Sequence, residues 1–245
     1  MSARKLISAL VLTLTVCISM PFAVGAGSPL PTTGAASVKG IVRFEGTVPK
    51  PKLVSMSTDP SCAKQHAAPV FAQEVMTDAK GDLQNVIVFV SEGLGDRTFD
   101  APTQPVVVEQ KGCMYQPHVL AVRANQPLHV VNDDPTSHNI HPTPANNPDY
   151  NQSQMTGSGD ILHSFANQEV MIPIKCNIHN WMRAYVGVVS SPFFAVTGDD
   201  GTYTIKGLPP GTYTIEVWQE KYLTQDQQIT VGAKESKTLD FTYKG

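Results

Sequence analysis

Charge is scarce in this chain. Only 16% of its 245 residues are Asp, Glu, Lys or Arg, and the formal net charge is −3. That excludes the basic stripe a nucleic-acid partner would require. Cysteine is limited to four positions, Cys17, Cys62, Cys113 and Cys176. Beyond the first two dozen residues there is no apolar run long enough to cross a membrane. Nor does any stretch sustain a 3.6-residue apolar period, which excludes long helices. No Ser/His/Asp set, paired carboxylates, HExxH or Gly-rich phosphate loop is present, so the common hydrolase and nucleotide-dependent classes have no foothold. What remains is a soluble β composition: short apolar runs, frequent Val and Thr, and turn residues about every ten positions. The expected fold class is all-β, and no enzymatic activity is expected.

The N-terminus has the make-up of a secretory signal. Arg4 and Lys5 precede an apolar stretch from Leu6 to Ile18, and Val24-Gly25-Ala26 offers small residues for cleavage. Residues 1–26 are therefore expected to be a signal peptide, with an uncleaved anchor as the alternative, and residues 27–36 a flexible leader. Cleavage would remove two cations, leaving 16 Lys and Arg against 21 Asp and Glu, a formal charge of −5. The mature protein is expected to be a periplasmic or secreted monomer without a membrane span.

One segment concentrates the chemistry. Cys176-Asn177-Ile178-His179-Asn180-Trp181-Met182 sets a thiolate, an imidazole and a thioether three residues apart. Ser137-His138-Asn139-Ile140-His141 offers a second imidazole upstream, from either histidine. Two His, one Cys and one Met make the donor set of a blue-copper electron-transfer site. Zinc competes for Cys and His, but Met is not among its usual ligands. Met155 and Met171 are read as packing residues. His66, His118, His129 and His163 have no partner at ligand spacing.

From about Met114 to Val189 the chain resembles a cupredoxin, most closely amicyanin. The short C-x2-H-x2-M loop and the H-N-aliphatic-H context at His138 to His141 carry the likeness. So does the alternating stretch Val119 to Val131, read as one strand that ends in the turn Asn132-Asp133-Asp134-Pro135. The resemblance implies a Greek-key β-sandwich holding one type 1 copper ion. It implies His138, Cys176 and His179 as equatorial ligands, Met182 as the axial one, and His141 as a structural residue. It also implies that Asn139 ties the two ligand loops together and that electrons pass to a redox partner protein through the edge of His179. Asn180 and Trp181 stand where a Pro-Phe pair is expected, a departure that bears on the surroundings of the ligands.

With Cys17 lost in the signal and Cys176 on copper, Cys62 and Cys113 remain as a pair. In an oxidising compartment that pair is expected to form a disulfide. The alternative is a second metal site joining Cys62 and His66 to Cys113 and His118.

The C-terminal part reads as another module. Gly201-Thr202-Tyr203-Thr204-Ile205 recurs as Gly211-Thr212-Tyr213-Thr214-Ile215 around Leu208-Pro209-Pro210, and Asp199-Asp200-Gly201 reads as a hairpin turn. The run resembles the carboxypeptidase regulatory-like, transthyretin-like β-sandwich, a motif informative for fold and nearly silent on activity. The stretch 191–245 is short of strands for such a sandwich, and Val38 to Glu45 with Asn85 to Val90 resemble the missing ones. The expected organisation is a discontinuous sandwich from residues 37–103 and 191–245, with a copper domain at 104–190 inserted in it; two domains in series are the alternative. The expected function is one-electron transfer. A periplasmic copper carrier and a non-metal cell-envelope binding module are the alternatives.

Overall fold

The computed structural model describes residues 34–245; the expected signal peptide and most of the leader lie outside them. In chain order, strand β1 (Ala36–Glu45) is followed by helix α1 (Pro60–Ala63) and β2 (Ile87–Glu92). Nine strands come next: β3 (Val106–Lys111), β4 (Met114–Gln116), β5 (Val119–Arg123), β6 (Leu128–Asn132), β7 (His138–Pro142), β8 (Gln152–Gln154), β9 (Ile161–His163), β10 (Glu169–Lys175) and β11 (Arg183–Val189). The chain ends with β12 (Phe194–Val196), β13 (Thr202–Leu208), β14 (Gly211–Gln219), β15 (Leu223–Val231), β16 (Ser236–Thr238) and β17 (Phe241–Lys244). Among the described residues no helix is long and apolar enough to cross a membrane.

The strands form four sheets, stacked through three apolar cores. Sheet β4-β3-β6-β9 faces sheet β5-β11-β10-β7-β8 across a core containing Val108, Leu128, Val130, Phe165, Ile174 and Val186. Sheet β12-β2-β14-β15 faces β13-β1-β16, with β17 also paired to β1, across a core containing Val38, Val88, Ile205, Ile215, Val217 and Tyr243. The two inner sheets meet through a smaller apolar layer in which Ile87, Phe89 and Trp218 oppose Ala121, Val189, Met171 and Tyr185. Successive side chains of a strand point to opposite faces. In β2, Val88 and Val90 therefore serve one core while Ile87 and Phe89 serve the other. A strand covered on both faces reads as an unbroken apolar run, as Val86 to Val90 does. Gly187 in β11 lets the inner sheets approach closely: a Cβ there would lie 2.3 Å from Ile87 Cδ1.

Three readings of the sequence change. Val119 to Val131 is two strands, because Asn125 takes a left-handed conformation at φ 64° and Pro127 follows it, turning the chain between β5 and β6. Asp199-Asp200-Gly201 joins β12 to β13, which lie in different sheets, so the turn is a corner rather than a hairpin. The region between β1 and β2, expected to serve the sandwich of β1 and β2, is divided: Val54, Met56, Cys62 and Val70 join the core of the β3–β11 sandwich, while Val75, Leu83 and Val86 pack in the core with β1 and β2.

Candidate metal centre

His138 opens β7, and Cys176 follows β10 directly. His179 and Met182 lie on the connection from Cys176 to β11. That connection is tight: the Cys176 N–H donates to Met182 O, the Met182 N–H to His179 O at 3.0 Å, and the His179 N–H to Cys176 Sγ at 3.4 Å. Pairing of Lys175 in β10 with His141 in β7 sets the segments carrying His138 and Cys176 side by side. His138 Nδ1 and His179 Nδ1 come within 2.9 Å, and Cys176 Sγ lies 3.9 Å from His179 Nδ1. One donor atom from each of the three residues falls within a 4.8 Å cluster. Met182 is fully buried in the core that also contains Cys176.

Hydrogen bonds on the far side of each ring set its orientation. His138 Nε2 is 2.8 Å from Asp134 Oδ2, and His179 Nε2 is 2.9 Å from Asp59 Oδ2. In a neutral ring, the nitrogen facing a carboxylate carries the proton, leaving the other nitrogen as a bare lone pair. Both bare Nδ1 atoms therefore point at one spot. Two lone pairs at that separation repel unless a proton or a metal cation lies between them; with the Cys176 sulfur in the same cluster, the donor set fits a metal.

Electrostatics point the same way. Burial pushes the Cys176 thiol up, but its hydrogen bond with His138 and the N–H groups of Asn139, His179 and Ile178 more than offset this and bring it to about 7. A thiolate, the form that binds metal, is thus accessible near neutrality. Burial also disfavours the charged forms of Asp134 and His138. Burial is the largest single effect on each, but it is outweighed by their mutual hydrogen bond and ion pairing together with Cys113 and Gly112 N–H for the one and Cys176 for the other, leaving Asp134 lowered and His138 raised.

The remaining histidines are engaged elsewhere. His141 Nδ1 meets Asn177 Oδ1, His66 Nε2 meets Gly112 O, and His129 Nε2 meets Asp160. His163 stacks on Tyr150. His118 is buried and bonds Glu220 at 2.8 Å, linking the two sandwiches. Met171 packs between the inner sheets, whereas Met155, read as a packing residue, is exposed. Asn139 Oδ1 accepts the Asn177 N–H, and Tyr115 Oη donates to the Asn139 carbonyl. Cys62 and Cys113 are disulfide-bonded, with Cα atoms 5.5 Å apart, and Cys176 is free.

Two features had no role in the sequence reading. Asp134 was read only as part of a turn. Its Oδ1 accepts the Gly112 N–H and its Oδ2 the Cys113 N–H, besides the contact to His138. Its one sequence signal is the Asp-x3-His spacing. Asp59 has none, lying 120 residues from His179. Moreover, the edge of His179 is not on the surface: the residue is 2% exposed, with Asp59 and Cys62 on one side and the Trp181 ring 5.0 Å away.

Residues 183–244 match the model of the carboxypeptidase regulatory-like domain. The match spans β12 to β17 of the sandwich that also contains β1 and β2. The match starts within β11, which pairs in the neighbouring sheet with β5 and β10. No curated protein matches the chain. Among solved structures, a Cu-containing nitrite reductase from Thermus scotoductus SA-01 aligns at 18% identity and TM-score 0.33, over 40% of this chain and 25% of that one. A purple cupredoxin from Nitrosopumilus maritimus aligns at 21% identity and TM-score 0.29, over 34% of this chain and 98% of that one. An oxidised point mutant of amicyanin aligns at 17% identity and TM-score 0.32, over 42% and 98%.

Proposed function

We propose that this chain is an exported, mononuclear type 1 copper protein that passes single electrons and is not itself an enzyme. The observation that carries this reading is the convergence of His138 Nδ1, His179 Nδ1 and Cys176 Sγ beside buried Met182. When bound, copper would supply a one-electron couple between Cu(I) and Cu(II). The chain supplies two imidazoles and a thiolate as strong donors and the Met182 thioether as a weak axial one. It holds them on strand ends and a short hydrogen-bonded loop, so that little rearrangement accompanies a change of charge. The burial of all four residues excludes water and favours retention over exchange, which speaks for a shuttle rather than a carrier.

In this reading the β3–β11 sandwich is an insertion into the sandwich made by the strands on either side of it, which acts as scaffold or docking module. A redox partner approaches over the cover of His179, at Asp59 and Trp181, rather than at a bare imidazole edge.

The test is the optical and EPR spectrum of the exported protein after Cu(II) addition. An intense thiolate-to-copper(II) band, bleached by ascorbate and missing in Cys176→Ser, is the expected result. Stoichiometric copper in a colourless wild-type protein would refute the assignment.

A further inference from the structure

The two carboxylates behind the imidazoles share a mounting. Asp134 accepts the N–H of Cys113 and the Nε2–H of His138 on one oxygen. Asp59 caps α1: its Oδ1 accepts from Ser61 N at 2.8 Å, Ser61 Oγ at 2.6 Å and Cys62 N at 3.4 Å, while Oδ2 takes Nε2 of His179. Cys62 and Cys113 are the two halves of one disulfide. Each half therefore anchors a carboxylate, and each carboxylate orients one imidazole.

Asp134 is 3% exposed and keeps three N–H partners, so its charge is compensated. Asp59 comes from outside the β3–β11 sandwich, on the segment between β1 and β2. Without it, Nε2 of His179 would face Cys62 Sγ, 3.6 Å away, a poor acceptor. The ring could then flip, taking Nδ1 away from Cys176.

We propose that Asp59 and Asp134 are positioning residues for the metal, and that the segment bearing Asp59, pinned by the Cys62–Cys113 disulfide, is a clasp that fixes His179 and closes the site. This rests on the copper reading for the identity of the metal but not for the orientation of the rings. Outer carboxylates of this kind fix the ring and raise donor strength, and their loss typically costs about 10–100-fold in metal affinity. Because they add negative charge near the metal, they also favour Cu(II) over Cu(I).

Asp59→Ala tests this with the least risk to folding, since Asp59 is partly exposed. In metal-free wild type, nitrogen-resolved NMR should show slowly exchanging Nε2 protons on both His138 and His179. Asp59→Ala should lose the His179 signal alone, and Asp59→Asn, whose amide oxygen still accepts, should restore it. With Cu(II) as probe against a chelator, Asp59→Ala should bind about 10–100-fold more weakly while keeping its visible band. Copper affinity within about twofold of wild type, or an unchanged His179 proton, would overturn the proposal. A wild-type protein that failed to hold Cu(II) would count against the copper reading, and the NMR arm would still decide whether the carboxylates set the rings.

Discussion

Replacing both Cys62 and Cys113 by Ala gives the most quantitative test of how the clasp is held. The cysteines are 51 residues apart in sequence, and both are fully buried. In the chain-entropy model, opening a loop of that length returns about 14 cal/mol/K to the unfolded chain, or about 4 kcal/mol at 25 °C. Against a total stability of about 5–15 kcal/mol, that is a large fraction. With a urea slope of about 2–3 kcal/mol/M, the midpoint of the affected transition should fall by about 1.5–2 M. Both cysteines sit in the core of the β3–β11 sandwich and neither in the core of the sandwich containing β1 and β2, so the loss should be uneven. Trp181 lies against the Cys113 carbonyl, whereas Trp218 sits at the contact of the inner sheets. Single-Trp fluorescence during urea unfolding would separate the two. The reasoning fails if the Trp181 transition moves by less than about 0.5 M, a small part of the loop term.

Three further outcomes follow from the same structure. Met182→Leu should keep the metal on its three strong donors and raise the reduction potential, since losing a weak donor disfavours Cu(II); spectroelectrochemistry showing an unchanged or lower potential would remove Met182 as an axial ligand. Glu216 faces Asp226 across β14 and β15, and burial, then Asp226 and Glu92, push its carboxyl upward. The folded state therefore holds that proton more tightly, and stability is lost as the pH rises through the folded pKa. Glu216→Gln should stabilise by about 0.2–1 kcal/mol at pH 7 and not well below the ordinary pKa of 4.5, by urea titration at both pH values. Gly40→Ala would set a Cβ 1.8 Å from the Leu239 carbonyl oxygen, a clash with backbone, and should cost more than about 4 kcal/mol. A thermal midpoint within about 2 °C of wild type would show that β1 and the β16–β17 connection separate freely.

The residues of the candidate site stood out in the sequence because their pattern is local. Cys176, His179 and Met182 fall on one loop at a fixed spacing, and Asn139 sits beside His138. Period-2 patterning likewise gave Tyr213, Ile215 and Val217 as one buried face, and all three are buried. What could not be read depends on contacts distant along the chain. The pairing of Asp59 with His179 leaves no periodic trace, because nothing in a run of turn residues says which surface it will cover. The break at Asn125 was hidden for another reason. The two strands it separates are both apolar, and the pattern continues across the turn as if unbroken.

The apolar layer between the inner sheets limits how this protein can be dissected. A fragment cut at residues 104 and 190 would bare Ala121, Met171, Tyr185 and Val189, a continuous greasy face flanked by the unpaired edge of β5. It would also leave behind Asp59 and Cys62, and with them the cover of His179. Such a fragment is expected to self-associate, so its colour or affinity would describe an aggregate rather than the site in the intact chain.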